Sequence, residues 1–544
     1  MRRFLTLALA LVLLCSTACA ETLLPKQSRP ELFPVADGAK LQVWCGQDGN
    51  ITAYAVNPEN AELEALTGVK IDWITAPGTQ ADMNVMFNLH IASGNYPDLY
   101  MNSYGTGDII TYANDVFIPL NEYIENTTWI KQYLEDMPEL KEAVTAPDGN
   151  IYCLWKGLPA AEEESDYNYP FKLFIYQPWL DAAGLAVPAT IDEYREVLRY
   201  FRDHDMNGNG DPTDELPMLG SYAFDHDGSD PTYPIMSAFQ LITSDYLWYN
   251  EDKTVECVAV TDAYREGLIY LNSMYAEGLI PEDIYALTLN EFRDVVNVPS
   301  AERMVVGSAG GPAYARICNT SIFGERAYDE WTIVTGLKKD ADTEAQLWAR
   351  RSAPTLYGAV TTACKDPQLA IDWIDACIDP EIAVPTNRGI EGIDWVRRSA
   401  DGALPIVIET LSDDLKRGGS QNDVCFGSWV FPAIPAKYIA DVYVEGTGAY
   451  KNRTNLTDAN NRYREVARYD ARPLVSWCTD TDVIDEKAAL QTTIESAIST
   501  AYAEFVLGRK DVGDDAVWAA YIANLNELGL ARYLEVSEIY AYGE

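Results

Sequence analysis

The sequence predicts an α/β fold built from at least two lobes. A chain of 544 residues with 48% hydrophobic residues is longer than one typical domain and can bury a large core. Residues 41–44 and 69–74 have the apolar runs of strands, and residues 57–68 between them have the spacing of an amphipathic helix. This strand–helix–strand unit is the building block of a parallel sheet, and the alternation recurs along the chain.

The elements that follow continue this alternation. We expect a helix at 81–93 and strands at 98–101 and 173–176. The sequence TIDE at 190–193 is a capping box, which predicts the start of an amphipathic helix. The apolar positions of that helix are Ile191, Tyr194, Val197, Leu198 and Phe201.

The last third of the chain is predicted to be mainly helical. A strand at 357–362 is followed by Asp366-Pro367, a favourable helix start. Residues 488–507 and 516–528 have helical periodicity. The sequence contains no internal repeat, so a solenoid is not expected.

The N-terminus has the pattern of a secretory signal peptide. Two arginines precede an apolar run at 4–14, which small residues follow. The run is too short to span a bilayer, and we expect an exported, soluble protein. Cleavage after Ala20 and lipid attachment to Cys19 both stay open, and residues 21–40 are interpreted as a linker.

The charge excludes a nucleic-acid partner. There are 83 acidic and 40 basic residues, for a net charge of −43, and a phosphate backbone would be repelled. Beyond the signal peptide, no CxxC pair occurs, and disulfide pairing cannot be deduced from the spacing. The cysteines there are Cys45, Cys153, Cys257, Cys318, Cys364, Cys377, Cys425 and Cys478.

The sharpest local motif is the acidic loop at 203–215, which directly follows the capping-box helix. Alternating Asp and Asn with glycine at the bend is typical of calcium loops, since Ca²⁺ takes six to eight oxygen ligands. One register begins at Asp203, with Gly208 at the bend and Asp214 closing. The other begins two residues later, around Gly210. The ligands of the second register are Asp205, Asn207, Asn209 and Asp211, with Asp214 or Glu215 closing.

A simple turn is the alternative interpretation of this loop, because Asn, Asp and Gly are common in turns that bind nothing. If calcium binds, we expect a structural role. A cage saturated with oxygen ligands leaves no open position for a substrate, which a catalytic metal requires.

Motifs for catalysis are weak. The three histidines, His90, His204 and His226, lack metal-ligand spacing, and there is no GxSxG nucleophile motif. The glycine-rich stretch at 307–311 lacks the spacing of a phosphate loop. A carboxylate pair for glycoside hydrolysis stays possible among so many acids, so a secreted carbohydrate-active hydrolase is one alternative.

Three aromatic residues stand at predicted strand exits. Trp44 ends the first strand, Tyr104 follows the third, and Trp155 follows an apolar run. Ligands of open α/β sheets bind beyond the carboxyl ends of strands, so these rings are candidate ligand contacts. The alternative is a position in the core, since tryptophan is highly buried on average.

Several segments in order along the chain resemble the family 1 extracellular solute-binding proteins, the sugar-capturing components of ABC importers. The segments are ASGNYPD at 92–98, FIPLNEYI at 117–124, DGNIY at 148–152, WLD at 179–181, GLAVPATIDE at 184–193, GLI at 278–280 and GIEG at 389–392. The closest likeness is to the large oligosaccharide-binding branch that includes alginate-oligosaccharide binders. Residues 503–540 resemble the C-terminal helices of that family.

The resemblance implies two α/β lobes of periplasmic-binding-protein type, joined by hinge strands, with the ligand in the cleft between them. We expect lobe 1 at 41–165 plus 355–400 and lobe 2 at 166–354 plus 401–544. It also implies a Ca²⁺ loop in the second register, although this chain has one extra residue before the closing acid. Further candidate ligand contacts in and near the GIEG segment are Arg388, Glu391 and Trp395.

The functional interpretation is therefore an exported binding protein. It captures an oligosaccharide by closure of the lobes and delivers it to the permease subunits of an ABC importer. We expect a monomer and no catalysis. A binder of peptides is a second alternative to this interpretation.

Overall fold

A computed structural model describes residues 31–36, 38–47, 51, 53–76, 80–159, 168–222, 229–319, 323–411, 424–426 and 430–543. The predicted signal peptide at 1–20, Cys19 and much of the predicted linker lie outside the described residues. So does His226.

The described residues form fifteen strands, named in chain order. They are β1 Lys40–Gly46, β2 Lys70–Ala76, β3 Leu99–Tyr104, β4 Leu154–Lys156, β5 Leu173–Tyr176, β6 Leu247–Tyr249, β7 Val255–Cys257, β8 Ser308–Gly310, β9 Trp331–Val334, β10 Leu347–Trp348, β11 Thr355–Val360, β12 Trp395–Arg397, β13 Ile406–Thr410, β14 Ile439–Val442 and β15 Ala467–Arg468.

The α-helices of the same residues are numbered separately. They are α1 Pro58–Thr67, α2 Gln80–Ser93, α3 Thr106–Tyr112, α4 Asn121–Ile124, α5 Trp129–Asp136, α6 Pro138–Val144, α7 Gln177–Ala183, α8 Ile191–Asp203, α9 Thr232–Met236, α10 Asp262–Ala276, α11 Leu289–Val296, α12 Tyr314–Ile317, α13 Arg326–Glu330, α14 Pro367–Cys377, α15 Pro380–Arg388, α16 Gly448–Arg464, α17 Thr481–Val506, α18 Asp515–Glu527 and α19 Leu530–Tyr542.

The chain divides into two compact units. Counting only the described residues, the first lies within 31–104, 112–156 and 356–442, and the second within 105–111, 157–355 and 443–543. The largest difference from the predicted lobes is at 401–442, which lies in the first unit. The reason is strand pairing, because β13 pairs antiparallel with β12 and parallel with β14.

The first unit contains a five-stranded sheet in the order β2-β1-β3-β11-β4. β1 is parallel to β2 and to β3, as the first strand–helix–strand unit predicts, and β11 is antiparallel to β3. The Asn57 side chain caps α1 by accepting from the Glu59 N–H, and the helix ends at Gly68, whose φ of 72° is in the left-handed region.

The second unit combines small sheets with longer helices. β5 is the central strand of a sheet with β8 and β9, β6 and β7 form a hairpin, and β10 pairs with β15. In α8 the predicted capping box is present, and all five predicted apolar positions are buried. The long helix α17 packs against α10 and α19.

Two further features concern the helices and the cysteines. Within the described ranges, no helix has both the length and the apolar character to cross a membrane. All eight cysteines from Cys45 to Cys478 that the structure describes are buried and carry free thiols.

Candidate functional site

The acidic loop begins where α8 ends and folds around Asp205. The Asp205 carboxylate accepts hydrogen bonds from the N–H groups of Gly208 at 2.7 Å, Asn209 at 3.1 Å and Gly210 at 2.8 Å. Gly208 and Gly210 have φ values of 73° and 91°, which glycine adopts more easily than other residues. The loop therefore bends sharply around one carboxylate.

The geometry of the loop favours the second predicted register. Asp203, the first ligand of the other register, pairs with the Arg202 guanidinium at 2.7 and 2.9 Å. This contact lowers the pKa of the Asp203 carboxyl. The Asp205 carboxylate instead accepts hydrogen bonds from three N–H groups of the loop, and Gly210 lies at the bend.

Glu215 is the most buried acid of the loop, with 6% exposure. Its Oε1 accepts from the Met206 N–H at 2.8 Å and from the Asn207 N–H at 3.4 Å. Its Oε2 is buried and has no hydrogen-bond donor among the described residues. Burial raises the pKa of this carboxyl, because the charged form loses its hydration.

The remaining loop side chains cross-link it. Asn209 Nδ2 donates to Asp214 Oδ2 at 2.6 Å, and Asn209 Oδ1 accepts from the Asp211 N–H at 2.7 Å. The Asp211 carboxylate accepts from Thr213, through its N–H at 3.0 Å and its hydroxyl at 2.6 Å.

The donor set of the loop fits a hard cation. In the described part of the chain, no three His, Cys, Asp or Glu side chains are grouped as a metal site. The loop instead mixes carboxylates with the amide oxygens of Asn207 and Asn209, both of which suit Ca²⁺. The buried Oε2 of Glu215 is an oxygen for which a cation would supply the missing partner.

The predicted aromatic contacts of the first unit lie in its core, which corrects their expected position at strand exits. β1 continues two residues beyond Trp44, and this fully buried ring contacts the edge of Tyr100 at a centroid distance of 5.3 Å. Tyr104 is the last residue of β3, is 7% exposed and packs 5.2 Å from Phe117. Trp155 is buried within β4, and its Nε1–H donates to the carbonyl of Ala433 at 2.9 Å.

The GIEG segment forms a turn that the Trp395 side chain stabilises by a hydrogen bond. The Trp395 ring is buried, and its Nε1–H donates to the Gly389 carbonyl at 2.8 Å. Arg388 is partly exposed and donates to Asp441 Oδ2 at 2.9 Å. The Glu391 side chain is exposed. Arg388 and Glu391 are thus the accessible members of the predicted ligand set, and Trp395 supports the turn between them.

A feature that the sequence analysis missed lies in the second unit, after β10 and β15. Tyr469 is 39% exposed, and the Arg351 guanidinium lies 6.0 Å from its ring centre. Each preceding strand is only two residues long. A strand of two residues is too short to show a periodic pattern. The only signal in the sequence was that Arg351 and Tyr469 each come shortly after apolar residues.

Comparison with known proteins links the chain to transport proteins. No protein-family model matches it. It is 29% identical over 341 residues to the fructooligosaccharide ABC transporter substrate-binding protein FusA of Streptococcus pneumoniae, a match covering 61% of this chain. It is 22% identical over 352 residues, 62% of this chain, to the lipoprotein LipO of Bacillus subtilis. The chain spans 59% of the length of FusA and 63% of that of LipO.

Solved structures match almost the whole chain. An HMO-binding, ABC-transporter-associated solute-binding protein of Bifidobacterium longum infantis is 18% identical, with 93% of this chain and 99% of that one covered, at a TM-score of 0.74. An EF-hand mutant of FusA from S. pneumoniae with fructo-nystose is 21% identical, with 92% and 98% covered, at 0.69.

The alginate-binding protein AlgQ2 without calcium ion is 19% identical, with 95% of this chain and 100% of that one covered, at 0.61. These likenesses establish the α/β fold of solute-binding proteins. The resemblance predicted from the sequence segments is confirmed.

Proposed function

We propose that this protein is the extracellular substrate-binding component of an ABC importer and that it captures an oligosaccharide. The observation that carries the proposal is the sequence similarity to FusA over 341 residues. Its relatives are transport proteins, and the binding we propose is noncovalent, without cleavage of the ligand. The partners that follow are the permease subunits of the importer.

The chemistry of sugars indicates which side chains bind them. A sugar offers hydroxyl groups for hydrogen bonds and apolar C–H faces for contact with rings. We propose Arg388 and Glu391 as polar contacts, since both are accessible. The buried rings Trp44, Trp155 and Trp395 then act by holding strands and the GIEG turn in place, and Tyr104 by packing at the end of β3.

We also propose that the acidic loop binds a structural Ca²⁺ ion. The residues that would hold it are Asp205, Asn207, Asn209, Asp211, Asp214 and Glu215. Support comes from the buried oxygen of Glu215, from the FusA structure described as an EF-hand mutant, and from the AlgQ2 structure described as lacking calcium. The ion would supply positive charge for these carboxylates and fix the loop that follows α8.

The cellular setting of the proposal is the outer face of the membrane. We propose export by the signal peptide and attachment through a lipid on Cys19, since one relative is a lipoprotein. We propose that the protein acts as a monomer.

Isothermal titration against a panel of oligosaccharides, with chromatographic analysis of the sugars afterwards, tests the proposal. Saturable binding with the sugar recovered intact is expected. Cleavage of the sugar would favour the hydrolase alternative. Binding of peptides with no binding of sugars would favour a peptide carrier.

A further inference from the structure

The exits of β10 and β15 form one edge of the second unit. These strands pair in parallel, with Trp348 opposite Arg468, so the chain leaves both at the same edge. Arg351 follows β10 and Tyr469 follows β15. Loops beyond the carboxyl ends of parallel strands are where open α/β sheets bind ligands.

Arg351 and Tyr469 present complementary binding groups at this edge. Tyr469 is one of the few large apolar side chains that are substantially exposed, and Arg351 is exposed beside it, 6.0 Å from the ring centre. Among the residues that the structure describes, Arg351 makes no ion pair, although the chain contains 83 acidic residues. The exposed Tyr469 ring and a guanidinium that makes no ion pair with a described residue are thus both accessible to a ligand at this edge.

The segment that carries Arg351 is held by Asn168. The Arg350 N–H donates to the Asn168 carbonyl at 2.8 Å, and Ser352 Oγ donates to Asn168 Oδ1 at 2.6 Å. The Ala349 N–H donates to the Arg468 carbonyl at 2.9 Å and continues the ladder of the two strands. The residues on both sides of Arg351 are therefore held, Arg350 by its backbone and Ser352 by its side chain.

The segment that carries Tyr469 is equally well anchored. The Asp470 carboxylate, 5% exposed, accepts from Arg472, which also donates to Asp245 at 2.9 and 3.2 Å. The Arg472 guanidinium lies 4.5 Å from the ring centre of Tyr249. An exposed ring on such a rigid frame loses little freedom on binding a ligand.

We propose that Arg351 and Tyr469 form a sugar-binding subsite of the second unit. Tyr469 stacks on the apolar C–H face of one sugar ring, and Arg351 donates to two oxygens of that ring, either neighbouring hydroxyls or a carboxylate. This inference rests on the proposed function and names the surface that would contact the sugar.

The experiment is a titration of the full mature protein with kestose, maltotriose and trigalacturonate. For the sugar that binds the unaltered protein most tightly, Tyr469→Ala and Arg351→Ala each weaken binding about tenfold, whereas Tyr469→Phe keeps the affinity because the ring remains. Arg453→Ala, an exposed arginine on α16, is the matched control and changes nothing. Melting temperatures stay unchanged, since all these side chains are exposed.

The outcomes separate this subsite from the proposed function. A larger loss for trigalacturonate than for a neutral sugar in Arg351→Ala identifies the carboxylate as the arginine's partner. If the unaltered protein binds a sugar and both alanine variants match Arg453→Ala, the subsite is overturned while the proposed function stands. If the unaltered protein binds neither these three sugars nor any oligosaccharide of the wider panel that tests the proposed function, both are rejected.

Discussion

Asp375 on α14 caps a helix that is distant in the sequence. Its side chain is fully buried, and Oδ1 accepts from the N–H groups of Trp129 and Ile130, both at 2.7 Å, while Oδ2 accepts from the Thr128 N–H at 2.9 Å. These amides belong to the first turn of α5, whose own N-cap side chain makes no capping bond. The carboxylate also interacts favourably with the positive end of the helix.

Replacing Asp375 by alanine leaves one buried and two partly buried N–H groups without an acceptor. An unsatisfied buried donor costs about 1–3 kcal/mol, and partial hydration of the gap lowers the sum, so we expect a loss of roughly 3–5 kcal/mol in the free energy of unfolding. For a unit of this size, 1 kcal/mol corresponds to about 2–4 °C. The melting temperature of the first unit should therefore fall by roughly 6–20 °C.

Differential scanning calorimetry measures this effect as the shift of one unfolding transition. Asp375→Asn retains an acceptor oxygen and should lie between the alanine variant and the unaltered protein. Asp401→Ala, in an exposed turn of the same unit, is the matched control. If Asp375→Ala melts together with Asp401→Ala, the carboxylate does not stabilise α5 and the reasoning fails.

Three further predictions concern the loop, a buried acid and a close backbone contact. Chelation of calcium should lower the melting temperature of the second unit. Glu215→Gln should weaken this response more than Asp203→Ala, because the Asp203 carboxylate pairs with an arginine and is not expected to bind the ion. A melting curve that chelation does not change, together with no calcium by elemental analysis, would contradict the site. Burial raises the pKa of Glu59 from 4.5 to about 8. Between these values the unfolded chain is ionised at this residue and the folded chain is not, so stability falls as the pH rises from about 4.5 to about 8, and urea unfolding of Glu59→Gln should show a weaker fall. A Cβ on Gly310 would lie 2.7 Å from the Asp230 and Pro231 backbone, whereas one on Gly105 would meet only a side-chain oxygen at 3.6 Å. In thermal melts, Gly310→Ala should therefore destabilise the second unit far more than Gly105→Ala destabilises the protein. Equal melting temperatures of the two variants would refute the contact.

The sequence was sufficient to predict features that depend on interactions between residues close together in the chain. The capping box at Thr190 and Glu193 is formed, and the five apolar positions of α8 are all buried. The helix at 366–377 begins as expected, with the Asp366 side chain accepting from the Leu369 N–H. In these cases the hydrogen bonds and the apolar face are set by residues within four positions of each other.

Features that depend on distant pairing were harder to predict. β13 pairs with β14 some thirty residues later, so residues 401–442 join the first unit. The exits of β10 and β15 become neighbours only because strands more than a hundred residues apart pair. The strand end predicted at Trp44 was wrong for a different reason: the apolar run does not show where the hydrogen-bonded ladder stops, and β1 continues through Cys45 to Gly46.

The place of β11 in the first sheet has a consequence for folding kinetics. It pairs with β3 although residues 105–355, most of which belong to the second unit, lie between Tyr104 and its partner Leu356. The loop-closure entropy of this pairing must be overcome before the contact contributes stability, so the first sheet should form slowly. Residues 157–355, which belong to the second unit, are complete before β11 emerges during synthesis. Until then the first sheet has only the strands β2, β1 and β3, and the open edge of β3 can pair with another chain.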